Sequence, residues 1–351
     1  MGAHGILDER KRQVLAAIVR EYVQTAEPVS SQRVVERQGI RASAATVRHE
    51  MAILEEWGYI YQPHASAGRL PSDLGYRYFV DEILRPRHLS QREREWIRQK
   101  YAQIREDGEE ILRATCAILA HLTGYTAVVF APALRETLLR YIEMAPLDRH
   151  RLLILLVTDG GHVQHRLVTV ERAPDSKALL RLTRLLNTRL AGQRLSLLEE
   201  VELSHLWQEA KGYNEVLHQV LSLLKRTALE EGKAQVFVDG IVSILEQPEF
   251  QEVSRAREVL LGLQGEEGLR RSLKEAAERG RGLVGVGIGC ENPVSHFRAC
   301  SIVSTPYSLA SGAWGYLGVI GPTRMRYGRA MQVLESTRLL LEEALQGMAG
   351  R

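Results

Sequence analysis

Arg48 and Arg69, with His49 and His64 close by, are the side chains whose types and spacing point to chemistry in this chain. That chemistry is recognition rather than bond-making, because a guanidinium donates in a planar fork that fits base edges and phosphate oxygens. Arg48 and His49 lie in the run SAATVRHEMAILEEWG, residues 43–58. Val47, Met51 and Leu54 fall at i, i+4 and i+7 and give one apolar stripe for a core. Ala45, Arg48, His49 and Ala52 fall on the opposite face, which is small at its N-terminal end and carries one long donor. A helix that enters the major groove needs that shape. Ser43 is a good N-cap, its hydroxyl able to accept from a free amide of the first helical turn. Gly58 stands where a C′ glycine would stop the helix.

The next residues, 59–63, read as a short strand ending in Pro63, and residues 64–69 as a small-residue turn ending in a cation. A tip of that kind approaches a phosphate backbone closely, and Arg69 is placed to pair with phosphate or enter the minor groove. The candidate DNA contacts are therefore Ser43, Ala45, Thr46, Arg48, His49, His64, Ser66, Arg69 and, on the helix after the turn, Arg77. A plainer reading of Arg48 is a solvated arginine paired with Glu55 or Glu56. Arg48 and Glu55 are seven positions apart with Ala52 between them, a poor geometry for pairing on a helix. Tyr76 and Tyr78 fit either packing or a phosphate contact.

Other chemistries find little support. Residues 285–289 read G-x-G-x-G, with no clear helix after them and no P-loop Lys-Ser/Thr pair, so packed glycines in a strand explain them better than a nucleotide. Cys290, His296 and Cys300 lack a fourth ligand and a Cys-x-x-Cys pair. Ser311-Gly312 has none of the surroundings of a nucleophile elbow, and His162 and His165 flank a hairpin. No enzyme and no cofactor are expected.

With 351 residues the chain has room for two or three domains. Its 25% charged and 45% hydrophobic residues are those of an ordinary globular protein. A net charge of +3 does not by itself argue for nucleic acid, and residues 1–85 balance 11 basic against 11 acidic side chains. The basic residues Arg41, Arg48, Arg69 and Arg77 are instead sided. Residues 85–105, with seven basic against two acidic side chains, fit either a DNA-covering stretch or a solvated helix face. Three irregularly spaced cysteines argue against a disulfide framework and fit a reducing compartment. No apolar run approaches a membrane span and residues 8–12 are strongly charged, so a cytoplasmic protein without membrane contact is expected.

The elements that must position these residues follow in order. Asp8 caps a helix with Val14, Leu15, Ile18, Val19 and Tyr22 on one stripe, and Pro28 closes it. Ser30 opens a short helix, and Gly39 makes the turn into the helix at residue 43. Helix, short helix, turn, helix and two-stranded wing make a winged helix-turn-helix. Ser72 caps a fourth helix with Tyr76, Phe79, Val80 and Ile83 on its closing face. Residues 84–89 read as a linker, and Ser90 with Glu93 as a capping box. The period then changes from 3.6 to 2 over residues 125–131, 138–145, 151–158 and 163–170, and helical patterns return over 176–190, 204–231 and 254–263, with 236–245 ambiguous. Strand patterns recur at 283–289, 299–305 and 314–321 before a final amphipathic helix. The fold class is thus α+β and multidomain, one α/β sheet domain interrupted by a mainly helical insertion.

The run ATVRHEMAILEEWGYIYQPHASAGRLPSDLGYRYFVDEIL resembles the N-terminal domain of the heat-inducible transcription repressor family HrcA. Gln62-Pro63-His64, Ser66 to Arg69, Pro71 and Gly75-Tyr76-Arg77 carry the resemblance, and residues 286–291, 308–321 and 322–325 extend it more weakly. The chain departs from the expected pattern at Ala44, His49, Ala65 and Ser72. The resemblance implies a winged-helix domain (1–85), a linker and connecting helix (86–106), a GAF-like domain in two parts (107–171 and 280–347) and an inserted dimerising domain (172–279). It also implies a homodimer that binds double-stranded DNA at an inverted-repeat operator of chaperone operons, released by heat, with the chaperonin GroEL as a partner. A rival reading is a metabolite-responsive regulator with a small-molecule site in the GAF-like domain.

Overall fold

The computed structural model describes residues 7–40, 42–65, 67–85, 88–104, 108–133, 136–159, 163–199, 210, 212–229, 235–280, 283–309 and 312–349. The Asp8 carboxylate accepts from the Lys11 amide at 2.9 Å and starts α1 (Glu9–Thr25), which buries Val14, Leu15, Ile18 and Val19. The chain leaves α1 through Ala26 at φ 57, whose amide donates to the Tyr22 carbonyl, so a left-handed cap ends the helix two residues before Pro28. Ser30 caps α2 (Ser31–Gln38), Gly39 turns the chain at φ 64, and Ser43 caps α3 (Ala44–Glu56). The hairpin β1 (Ile60–Tyr61) and β2 (Leu70–Pro71) follows. Val29 and Arg69 exchange backbone hydrogen bonds at 3.0 and 2.8 Å, which ties the hairpin base to the segment before α2.

Ser72 caps α4 (Asp73–Tyr78), and residues Phe79–Ile83 continue it as a wider π turn in which the Leu84 amide donates to the Phe79 carbonyl. The capping box of Ser90 and Glu93 opens α5 (Gln91–Ala102), and α6 (Gly108–Thr123) leads into β3 (Thr126–Phe130). After β3 come β4 (Leu139–Pro146), β5 (Arg151–Thr158), β6 (Val163–Thr169), α7 (Ser176–Leu190) and α8 (Asn214–Leu229). The chain closes with β7 (Val236–Asp239), α9 (Ile241–Leu245), α10 (Val253–Gln264), α11 (Glu266–Arg279), β8 (Gly285–Ile288), β9 (Cys300–Ser308), β10 (Trp314–Pro322) and α12 (Tyr327–Ala349).

Two larger sheets result. One has five strands in the order β7-β3-β10-β9-β8, each neighbour antiparallel. Along β3, Ala127 and Val129 join the core under α6 and α12, and Val128 and Phe130 join the core under α10 and α11. A strand covered on both faces reads as a near-continuous apolar run, and β3 is buried at all five positions. The other sheet, β4-β5-β6, has three strands and its own core against α7 and α8, including Leu139, Ile142, Ile154, Leu186 and Leu217.

This pairing moves the expected boundaries at 171 and 279. Residues 139–169 do not extend the main sheet; they belong to the insertion. Conversely, β7, α10 and α11 fall inside 172–279 by sequence yet complete and cover the main sheet. The physical reason is that a period of 2 marks a strand without naming its neighbour. Strands joined by short connections pair with each other, and β3 finds β7 across the whole insertion, Phe130 standing opposite Val236.

A single continuous core runs from α1 and α3 through α4 into α6 and α12. The rings of Tyr76 and Tyr327 meet there with centroids 5.8 Å apart.

Candidate nucleic-acid interface

Helix α3 is seated by its inner side. Val47 and Leu54 are fully buried, Met51 nearly so, and the Glu50 carboxylate beside them reaches the Lys11 ammonium at 3.2 Å. Asp8 accepts from the same ammonium at 2.6 Å, and together the two carboxylates hold Lys11 above its ordinary pKa. The buried Glu21 pairs with Arg37 at 3.0 Å and fixes α2 on α1. With α3 held in this way, Ala45, Arg48, His49 and Ala52 all stand exposed on its outer side. Arg48 forms no ion pair among the described residues.

At the start of α3 the Ser43 hydroxyl accepts from the Thr46 amide at 3.1 Å and lies 2.9 Å from the Thr46 hydroxyl. These two side chains order each other at the positive end of the helix dipole, where an oxyanion is favoured. Beyond β1, Gln62 donates to the carbonyls of Ala65 and Ala67, each at 2.9 Å, and the Ala67 amide donates to His64 at 2.8 Å. The tip is thereby shaped from within, with His64 exposed. Gly68 has to be glycine: a Cβ there would lie 2.5 Å from the Val29 carbonyl. Ser66 and Arg41 lie outside the described residues.

Two of the expected arginines are engaged elsewhere. Arg69 donates from Nε and Nη2 to Glu55 at 2.9 and 2.8 Å, joining the hairpin base to the end of α3. Arg77 points away from the outer side of α3 into the body. Its Nε donates to Glu291 at 2.9 Å, Nη2 donates to the second Glu291 oxygen and to the Val286 carbonyl, and Nη1 reaches Asp81 at 3.2 Å. Sequence reading gave no hint of either engagement beyond the i, i+4 spacing of Arg77 and Asp81. Tyr76 is buried and packs; Tyr78 meets Tyr59 edge-on with centroids 5.5 Å apart. Among the described residues no group of three or more His, Cys, Asp or Glu is placed to hold a metal, and no helix is long and apolar enough to cross a membrane.

The outward face of α3 thus carries a guanidinium with no ion pair among the described residues, and a hairpin follows at once. The family model described as the HrcA protein C-terminal domain matches residues 109–331. The heat-inducible transcription repressor HrcA of Moorella thermoacetica is 37% identical over 341 residues, 97% of this chain and 98% of that protein. The protein of the same name from Geobacter sulfurreducens is also 37% identical, over 97% of this chain and 99% of that one. A crystal structure described as a hypothetical protein matches with a TM-score of 0.61 and 25% identity, covering 97% of this chain and 98% of that one. The chain belongs to the HrcA family of heat-inducible transcription repressors, a family of regulators rather than of enzymes.

Proposed function

We propose that the chain is a sequence-specific repressor of heat-shock operons whose winged-helix head reads an inverted-repeat operator in double-stranded DNA. The observation that carries this reading is the outer side of α3, where Arg48 stands exposed between Ala45 and Ala52 with no ion pair among the described residues. Small residues let the helix lie close to the groove floor, and the guanidinium reaches a base edge. Ser43, Thr46 and His49 border this face, and His64 extends it along the wing. Arg69 acts by bracing the wing rather than through a free fork, and Arg77 drops out of the contact set.

A two-fold protein matches a two-fold site. The homodimer reading is supported by the outer face of the β4-β5-β6 sheet, where Tyr141, Val157 and Val163 form one cross-strand row and Leu153 and Leu167 another. Tyr141, Val163 and Leu167 are each about half exposed on either side of a row that carries Glu143 and His165, a partly apolar face of the kind a second copy covers. In this reading the five-stranded sheet with its flanking helices is the GAF-like body and the three-stranded unit the dimerising insertion. Release on heating, and assistance by GroEL, follow from membership of the family and are part of the proposal.

Footprinting of the full chain on genomic DNA tests it. Protection of an inverted repeat upstream of chaperone genes is expected. Protection that tracks no repeated sequence would overturn the reading.

A further inference from the structure

The head and the body meet at a polar joint that no family name describes. Its centre is Arg77 on α4, which donates to both carboxylate oxygens of Glu291 and to the Val286 carbonyl. Glu291 is itself fixed, because the Ile288 amide donates to it at 2.9 Å. Beside this pair the Asp73 carboxylate accepts from the Cys290 amide at 2.9 Å. Gly289, at φ 51, leaves no room between the two: a Cβ there would lie 2.2 Å from the Asp73 carboxylate. From α4 the connection to α3 is equally direct. The Ser72 hydroxyl donates to the Gly58 carbonyl at 2.5 Å, just past the end of α3. Gly75 rides on the Tyr59 carbonyl so closely that a Cβ would sit 2.1 Å from its oxygen. A second tie joins the C-terminal end of α1 to the body: Arg324 donates to the Val23 carbonyl at 3.4 Å while bonded to Glu249 and Gln247.

We propose that Arg77 and Glu291 are positioning residues: their pairing sets the direction in which α3 faces relative to the body, and so fixes the half-site spacing that a pair of chains accepts. The inference rests on the DNA reading proposed above and adds to it what chooses the spacing. A flexible head would tolerate several spacings, since each head would find its half-site independently. A head braced at two points presents its partner at one distance, and the second half-site gains the full benefit of linkage only at that distance. Packed, partly buried joints of this kind hold one of a few discrete arrangements rather than sliding between them.

The experiment uses the full chain and the footprinted inverted repeat, with the spacer native, lengthened or shortened by one and two base pairs, and a duplex carrying one half-site. Binding is read by fluorescence anisotropy at one fixed salt concentration. The wild-type chain is expected to favour one spacer strongly. Glu291→Gln is expected to bind the native spacer about tenfold more weakly, with a flattened spacer profile and unchanged half-site binding. Asp73→Asn, which loosens the other side of the joint, serves as an independent variant, and urea unfolding verifies that each variant is folded. If the variants keep the wild-type spacer profile, or lose half-site and full-site binding equally, the joint does not position α3. If wild-type protein ignores inverted repeats altogether, the DNA reading itself fails, which is a distinguishable result.

Discussion

Glu55 and Arg69, fourteen residues apart, form an ion pair with N–O separations of 2.8 and 2.9 Å. Of the two acids that the sequence offers Arg48, Glu55 is thus taken by the hairpin, and among the described residues Arg48 forms no ion pair with Glu56. Arg48→Ala is expected to lower operator affinity by roughly 1–3 kcal/mol and to relax preference at one base pair. Competition binding with single-base operator variants measures it. Normal operator binding by this variant would remove α3 from the groove.

Arg69→Ala gives a contrasting result. It unfastens the wing from α3, so affinity should fall by a similar factor on operator and on random duplex. The side chains are about one-fifth and one-third exposed, so solvent screens the pair and its coupling in a double-mutant cycle with Glu55→Gln should be about 0.5–1 kcal/mol. A loss confined to operator DNA would show that Arg69 reads bases.

Gly75→Ala tests the seat of α4. The new methyl would meet the Tyr59 carbonyl oxygen at 2.1 Å, and overpacking against backbone costs roughly 1–3 kcal/mol. Urea unfolding should show a lowered midpoint. An unchanged midpoint would mean that α4 does not rest on Tyr59.

The three thiols should separate by reactivity. Burial pushes the Cys116 and Cys300 thiols up to about 12, so below that pH both remain protonated and poorly nucleophilic. Cys290 is exposed. Near pH 8 an alkylating reagent should label one cysteine of the native chain and all three in denaturant, as read by intact mass. Rapid native labelling of Cys116 would contradict its place under β3.

Leu167→Asp puts a charge on the outer face of the small sheet, where Leu167 is 50% exposed. For the dimer proposed above, light scattering should report a shift from dimer to monomer, with helix content unchanged by circular dichroism. A dimer of unchanged stability would place the two-fold contact elsewhere.

What could be read from the sequence was local. Ser43 with Thr46, Asp8 with Lys11 and Ser90 with Glu93 lie three residues apart, and each cap appears where the spacing put it. The outward set on α3 follows from the inward stripe of Val47, Met51 and Leu54, because one fixes the other on a helix. Arg77 and Glu291 are 214 residues apart, and nothing at either position signals the other. The same limit misplaced residues 139–169, whose alternation identifies strands but not the sheet that receives them.

The insertion leaves the five-stranded sheet after Phe130 and returns at Val236, two residues that face each other across one ladder. Among the described residues its interior packs as a core of its own. In the dimer proposed above, warming would loosen the grip between two copies while each head keeps the core it shares with the body.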